Sequence, residues 1–323
     1  MKKKVSIVTG CYNEQGNILQ FYKCITSVME KFPDYDYEII IIDNCSTDGT
    51  QDILREIAGI DKRVKVILNA KNFGVNRSGL FVHKFATGDC MIALASDLED
   101  PPELIAEFLE KWKQGFKIVA AIKKGSKENA LKRFFRNIYY KIISKISETK
   151  QIENFTGFGL YDMSIVKPLF CYYDSTTYFR GLISEFGYDI AYVMYERPVR
   201  ITGKSSYNFF SYFDYAMLGV TSNSKVPLRI ATLAGFFLSG LSFIAAIVYF
   251  ILKLVFWAHI PFGIAPLVIG LFFFSSVQLL FIGIIGEYIA ATLAKVSPKP
   301  LVNVREYINF DDLNNPSMEN NND

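Results

Sequence analysis

Histidine and tryptophan are scarce in this chain of 323 residues, with two of each, and its five cysteines are odd in number. Two histidines rule out a His-rich metal centre. Cys11, Cys24, Cys45, Cys90 and Cys171 contain no Cys-x-x-Cys pair, so neither a zinc site nor a disulfide framework is indicated. No Gly-x-Gly-x-x-Gly follows the first apolar run, which counts against a nicotinamide or flavin enzyme. Gly203-Lys204-Ser205 ends like a P-loop, but Pro198 stands where that motif needs its first glycine. A strong excess of one charge is lacking too: the formal net charge of +3 gives no ground for a nucleic-acid partner. The apolar run behind Met1-Lys2-Lys3-Lys4 is too short for a cleavable signal peptide.

Long apolar runs, by contrast, are present. Residues 230–252 carry no charge over 23 positions, and 254–286 carry none apart from neutral His259. A helix of 23 residues reaches roughly 34 Å, enough to cross a hydrocarbon core of about 30 Å. Two transmembrane helices are therefore expected, at about 230–252 and 264–286 within a hairpin spanning 228–289. Lys225, Arg229, Lys295, Lys299 and Arg305 flank the outer ends, against a lone Lys253 in the turn. The cytoplasmic bias of basic residues then puts both the N-terminal domain and the 290–323 tail in the cytosol, as an integral protein of the cytoplasmic membrane. In that setting Asn44-Cys45-Ser46, Asn76-Arg77-Ser78 and Asn154-Phe155-Thr156 are coincidental matches to the glycosylation tripeptide. The stretch from Phe310 onward, rich in Asn and Asp, is expected to be disordered.

The N-terminal part alternates short apolar runs with amphipathic segments. Strands are predicted at 5–9, 38–42, 64–68, 90–95 and 118–122 with helices between, giving an α/β domain with a mostly parallel, doubly covered sheet over 1–205. Polar clusters follow four of those strands: Tyr12-Asn13-Glu14, the Asp43–Thr50 run, Asn72-Phe73-Gly74, and Asp97-Leu98-Glu99-Asp100 before two prolines. Open α/β sheets bind ligands at the carboxyl ends of their strands. Asp97 and Glu99, two apart in extended chain, can point hard oxygen ligands the same way, which suits Mg²⁺ or Mn²⁺ carrying a substrate phosphate. An acidic helix N-terminus, stabilised by the helix dipole, is the alternative reading of the same residues.

Between 123 and 145 lie eight basic residues, including Lys123, Lys124 and Arg133, against Glu128 alone. Leu131, Phe134, Phe135, Ile138, Ile142 and Ile146 recur there at helical spacing. A helix over 131–147 with one apolar and one basic face suits a membrane interface and anionic lipid phosphate. A helix with a merely solvated basic face remains the other reading. The aromatic stretch at 206–227 is expected to lie along the membrane surface, and Arg197 to Tyr207 gathers Arg200, Lys204 and Ser205 around a glycine, a set able to grip a diphosphate.

Cys-Tyr-Asn-Glu at 11–14, Asp-Asn-Cys-Ser-Thr-Asp-Gly-Thr at 43–50, Asn-Phe-Gly at 72–74, Gly-Asp at 88–89, Asp-Leu-Glu-Asp-Pro-Pro-Glu-Leu-Ile at 97–105, Arg200 with Gly203-Lys204-Ser205, and Gly-Glu-Tyr-Ile at 286–289 resemble, in order and spacing, the family 2 glycosyltransferases that act on polyprenyl phosphate. The relatives include dolichol-phosphate mannose synthase and bactoprenol glucosyltransferases, with a GT-A nucleotide-sugar domain. The resemblance implies that Tyr12, Glu14 and Asp43 hold the base and ribose of a nucleotide-diphospho-sugar. It implies that Asp97 and Glu99 hold the metal on the diphosphate, Glu99 standing where many relatives have Gln. Arg200, Lys204 and Ser205 would close over phosphate, with Asp97 and Arg200 the catalytic pair. Lys123, Lys124 and Arg133 would receive the lipid phosphate. Three departures stand out: the first carboxylate of the usual Asp-x-Asp is Ala95, Gly10-Cys11 replaces a proline before Tyr-Asn-Glu, and Gly157 stands where many relatives have Asp.

The implied reaction is sugar transfer to undecaprenyl or dolichyl phosphate with inversion, for the cell envelope. A lipid phosphate is largely a dianion at neutral pH and needs no general base, which a hydroxyl acceptor would. Two alternatives are a family 2 enzyme extending a polysaccharide, and a non-catalytic membrane scaffold, the latter suggested by Ala95 and Gly157. Polysaccharide synthases usually carry Gln-x-x-Arg-Trp and more spans, whereas neither Trp112 nor Trp257 follows arginine here. A homo-oligomer is left open by the sequence.

Overall fold

The alternation of apolar and amphipathic segments builds a sheet covered by helices on both faces. The computed structural model describes residues 2–124, 152, 154–170, 177, 179–185, 187–196, 226–255, 264–296 and 300–310. Among them the strands are β1 (Lys3–Cys11), β2 (Tyr35–Asp43), β3 (Val64–Asn69), β4 (Cys90–Ala93), β5 (Ile118–Lys123), β6 (Phe155–Asp162), β7 (Ile190–Tyr195) and β8 (Val304–Ile308). The helices are α1 (Ile18–Met29), α2 (Thr50–Ile60), α3 (Val75–His83), α4 (Ile105–Lys113), α5 (Met163–Leu169), α6 (Phe179–Glu185), α7 (Val226–Val255) and α8 (Ile264–Val296).

The strands form one sheet in the order β7-β5-β6-β4-β1-β2-β3-β8. Pairs β1–β2, β1–β4, β2–β3 and β5–β7 are parallel, as the β–α alternation predicts. Ile39, Ile40, Ile41 and Ile42 run through the middle of β2 with no exposed surface, because a parallel strand covered on both faces has no polar side. Each contributes about 2 kcal/mol of burial. One face packs on Phe21, Ile25, Leu54, Phe108 and Trp112, the other on Leu80, Val82, Tyr161 and Val166.

Three features depart from the predicted elements. First, β4 ends at Ala93 rather than at 95, because the Ala95 N–H turns away to donate to the Asp100 carboxylate at 3.1 Å. Secondly, β6 enters antiparallel between β4 and β5. Gly159 permits this: a Cβ there would stand 2.3 Å from the Val119 carbonyl oxygen, so only glycine fits the close strand approach. Gly157, where the resemblance led one to look for Asp, has φ +96°, a backbone state that favours glycine. Thirdly, the chain beyond α8 does not trail away but supplies β8, antiparallel to β3. Phe310, expected to begin a disordered tail, is buried, its ring 5.4 Å from Phe85 and 5.6 Å from Tyr307. Those aromatic partners explain the difference, since they offer Phe310 an apolar seat that its polar sequence neighbours do not suggest.

Helices α7 and α8 hold 30 and 33 residues and contact each other near Gly235 and Phe281. Among the described residues one stretch, Gly270–Leu293, is long and apolar enough to cross a membrane, and the apolar stretch Leu228–Ile244 in α7 is shorter. Phe236, Phe237, Leu267, Leu271 and Leu279 are exposed over most of their surface. The helix expected at 131–147, the loop 197–205, the segment 206–225 and the chain end at 311–323 lie outside the described residues.

Candidate active site

Register brings the carboxyl ends of the central strands level: Cys11 pairs with Asp43, and Asp43 with Leu68. The loops after β1 and β2 are then stitched together. Asn13, in the left-handed region at φ 55°, donates its N–H to the Ser46 hydroxyl at 2.9 Å and accepts the Thr47 N–H on Oδ1 at 2.8 Å. The Glu14 N–H donates to the Thr50 hydroxyl at 3.0 Å, and the Asn17 amide donates to the Glu14 carboxylate at 2.6 Å. Tyr12 is left half-buried at this rim.

Asp43 has no exposed surface. Its Oδ2 accepts the Ser46 N–H at 2.9 Å and the Gln51 amide at 2.7 Å, while Oδ1 accepts the Ser46 hydroxyl. The Cys11 thiol lies 3.7 Å from Oδ1, and burial, reinforced by the Asp43 charge, pushes that thiol well above its ordinary pKa. Asp43 thus holds the 43–50 loop in shape, the loop-capping role its position after a strand also allows. Asn44 continues the seam: its Oδ1 accepts the Phe73 N–H at 2.9 Å and the Ser78 hydroxyl at 3.0 Å, and its amide reaches Asn72 at 2.7 Å.

The acidic loop stands beside this wall, since the Ser96 hydroxyl donates to the Gly10 carbonyl at 3.1 Å. Asp97 accepts the Glu99 N–H at 3.2 Å, with Leu98 between them at φ 60°, so both carboxylates sit half-buried on one tight turn. Asp100 closes the loop from beneath. Its Oδ2 accepts the Ala95 N–H, and its Oδ1 accepts the Tyr195 hydroxyl at 2.9 Å. Burial raises the Asp100 pKa to about 6 against those two bonds; Asp97 pushes it up further and Arg180, on α6, pulls it down. Sequence reading had Asp100 in this cluster but missed Tyr195 and Arg180 as its partners. Tyr195 sits on a strand whose alternating burial reads as core packing, and its link to the loop joins residues 95 apart.

Lys123 and Lys124 belong to the same sheet edge. Ala93 pairs with Gly159 and Gly159 with Ala120, so the end of β5 runs past that row in the direction of the acidic loop. The Lys124 N–H donates to the Tyr195 carbonyl at 2.7 Å. Lys123 is half-buried and Lys124 exposed. Arg133, Arg200, Lys204 and Ser205 lie outside the described residues. Among the described residues no group of three or more His, Cys, Asp or Glu is disposed to hold a metal ion.

A mostly parallel sheet with acidic and polar loops gathered at its carboxyl edge is a GT-A-like α/β fold, and residues 6–170 match the family described as Glycosyl transferase family 2. The chain belongs to that family and is a glycosyltransferase. It is 30% identical over 97% of its length to an uncharacterized glycosyltransferase of Synechocystis, all of whose length is covered. It is 33% identical over 92% of its length to a prophage-derived bactoprenol glucosyl transferase of Shigella flexneri, covering 96% of that protein. Among solved structures, a mannosyltransferase of Pyrobaculum calidifontis in complex with GDP-Man and Mn²⁺ matches with 18% identity and a TM-score of 0.44, over 62% of this chain and 59% of that one.

The Tyr195–Asp100 bond yields a test that keeps side-chain volume constant. Tyr195→Phe protein loses one buried charge-assisted bond and leaves the acidic loop less firmly closed, so kcat for sugar transfer falls about 5- to 10-fold. Initial-rate kinetics beside a thermal melt check this, and unchanged kcat would detach Tyr195 from the loop's function.

Proposed function

We propose that this enzyme transfers a sugar from a nucleotide-diphospho-sugar to a membrane polyprenyl phosphate, undecaprenyl or dolichyl phosphate, with inversion at the anomeric carbon. The observation that carries this reading is the 33% identity, over 92% of the chain, to a bactoprenol glucosyl transferase. Tyr12 and Glu14 line the donor's base and ribose, on a loop frame held by Asp43. Asp97 and Glu99 face the donor diphosphate, Arg200, Lys204 and Ser205 close over phosphate, and Lys123, Lys124 and Arg133 receive the lipid headgroup.

Two half-buried carboxylates on one turn suit Mg²⁺ or Mn²⁺, hard cations that take one or two protein oxygens and complete their shell with water and substrate phosphates. Such an ion, when bound, supplies neutralising charge to the nucleoside diphosphate. The remaining work falls to the chain. The lipid phosphate arrives already ionised, so basic residues need only align its oxygen behind the anomeric carbon. The new C–O bond to lipid phosphate forms as the bond to the donor diphosphate breaks, and the electron pair leaves with the nucleoside diphosphate. Helices α7 and α8 serve as the two membrane spans in this reading, with the sheet domain on the cytosolic side.

Purified protein incubated with radiolabelled nucleotide sugars and undecaprenyl phosphate tests it. Label extracted as lipid-linked monosaccharide is the expected product. Labelled polymer would overturn the proposal in favour of a polysaccharide-extending enzyme, and no transfer from any donor would leave a membrane scaffold.

A further inference from the structure

The segment after α8 is pinned to the sheet domain at three places. Ahead of β8, the Arg77 guanidinium donates to the carbonyls of Leu301 and Pro300, each at 2.7 Å. Within β8, Ile67 pairs with Tyr307 and Leu68 with Glu306. Behind it, the Asn309 amide donates to the carbonyls of Ala58 and Val64 at 2.7 and 2.8 Å. Arg305 is therefore delivered to a fixed place, where its guanidinium donates to the side-chain oxygen of Gln51.

Gln51 lies in the first turn of α2 and faces two ways. Its amide nitrogen donates to Asp43 Oδ2 at 2.7 Å and to the Ser46 carbonyl at 3.2 Å. A guanidinium only donates and a carboxylate only accepts, so Arg305 on one side and Asp43 on the other fix the amide in a single orientation. Among the described residues Asp43 makes no direct ion pair. The amide ties Arg305 to this buried anion through two hydrogen bonds in series. From Asp43 the chain of contacts continues to Ser46 and then to Asn13, next to Tyr12.

We infer that Arg305 is a positioning residue for the donor site: the strand following the second long helix uses it to hold Gln51, and through Gln51 the Asp43–Ser46 loop against which Asn13 and Tyr12 stand. This rests on the reading that Tyr12 and its neighbours receive the donor nucleotide. A second contact of the same strand provides the control. Arg55 pairs with Glu306 at 2.7 Å and with Asp52 at 3.6 Å, and docks β8 with no hydrogen bond to Gln51 or Asp43, although the Asp43 charge reaches it as the weakest of its electrostatic partners.

The test is calorimetric titration of the full-length protein in detergent with UDP and with GDP, each in the presence of Mn²⁺. For whichever nucleotide binds more tightly, Arg305→Ala weakens binding about 5-fold and Gln51→Met at least as much. Arg305→Lys, which can still donate to Gln51, recovers most of the affinity, and Arg55→Ala binds as wild type does. A merely structural strand would behave differently: Arg305→Ala would bind like wild type, or Arg55→Ala would weaken binding to the same degree, and either result overturns the inference. Wild-type protein that binds neither nucleotide, or Tyr12→Ala protein that binds undiminished, overturns the donor-site reading and this inference with it.

Discussion

Asp97→Asn protein is expected to melt at the wild-type temperature and to transfer sugar at least about 100-fold more slowly, the loss typical of removing one dedicated stabiliser of transition-state charge. The fold should survive because the described bond within the turn asks only for an acceptor at this position. An asparagine oxygen can take the Glu99 N–H that Asp97 Oδ1 accepts at 3.2 Å. The loop's other ties come from elsewhere, namely Ser96 to Gly10, Ala95 to Asp100 and Tyr195 to Asp100. What disappears is a negative charge at the rim. With Ala95 in place of a first carboxylate, Asp97 and Glu99 are, in the proposed reading, the two carboxylates that would hold a cation on the donor diphosphate, so halving the pair should be severe. Initial rates across an Mn²⁺ series, alongside thermal melts, separate the two quantities. Wild-type turnover by the variant removes Asp97 from the mechanism.

The same loop shows where sequence reading succeeds and where it stops. Four polar clusters behind four apolar runs were legible because a parallel β–α repeat must bring all its strand ends to one edge. The four-isoleucine run at 39–42 left little doubt about a central strand. Strand β6 was not legible: Thr156-Gly157-Phe158-Gly159 looks too glycine-rich for a strand, and the demand for Gly159 comes from the Val119 backbone, far away in sequence. Strand β8 hid for another reason. Arg305 and Glu306 make Val304–Ile308 look like solvated tail, yet charges are what an edge strand carries. Asp43 was visible as a cluster member, but not that its own loop occupies both carboxylate oxygens, through Ser46 and Gln51. Asp100, read only as part of the acidic loop, proved to be joined to a tyrosine on the edge strand β7.

Far from this edge, Glu38 makes part of the fold's stability depend on pH, and Glu38→Gln should cost about 3 kcal/mol at pH 7 but almost nothing near pH 2. Its side chain is 2% exposed and is gripped by Lys4 and Lys65 at 2.9 Å each, the Ser6 hydroxyl at 2.6 Å, and the N–H and hydroxyl of Thr87 at 2.9 and 2.8 Å. Burial alone would raise the carboxyl pKa, but the bonds from Ser6, Lys4, Thr87 and Lys65 outweigh it and bring the value down to about 2. A folded pKa held below the unfolded one, about 4.3, means that the unfolded chain binds the proton first. The stabilisation is therefore complete above that unfolded value and drains away as pH falls toward 2. Glutamine keeps one acceptor but turns an amide N–H₂ toward donors, leaving two ammonium groups without their shared anion. Melts of wild type and variant at pH 7, 4 and 2.5 should converge as acid is added. Curves that stay equally far apart at every pH would show that shape, not charge, is what Glu38 contributes.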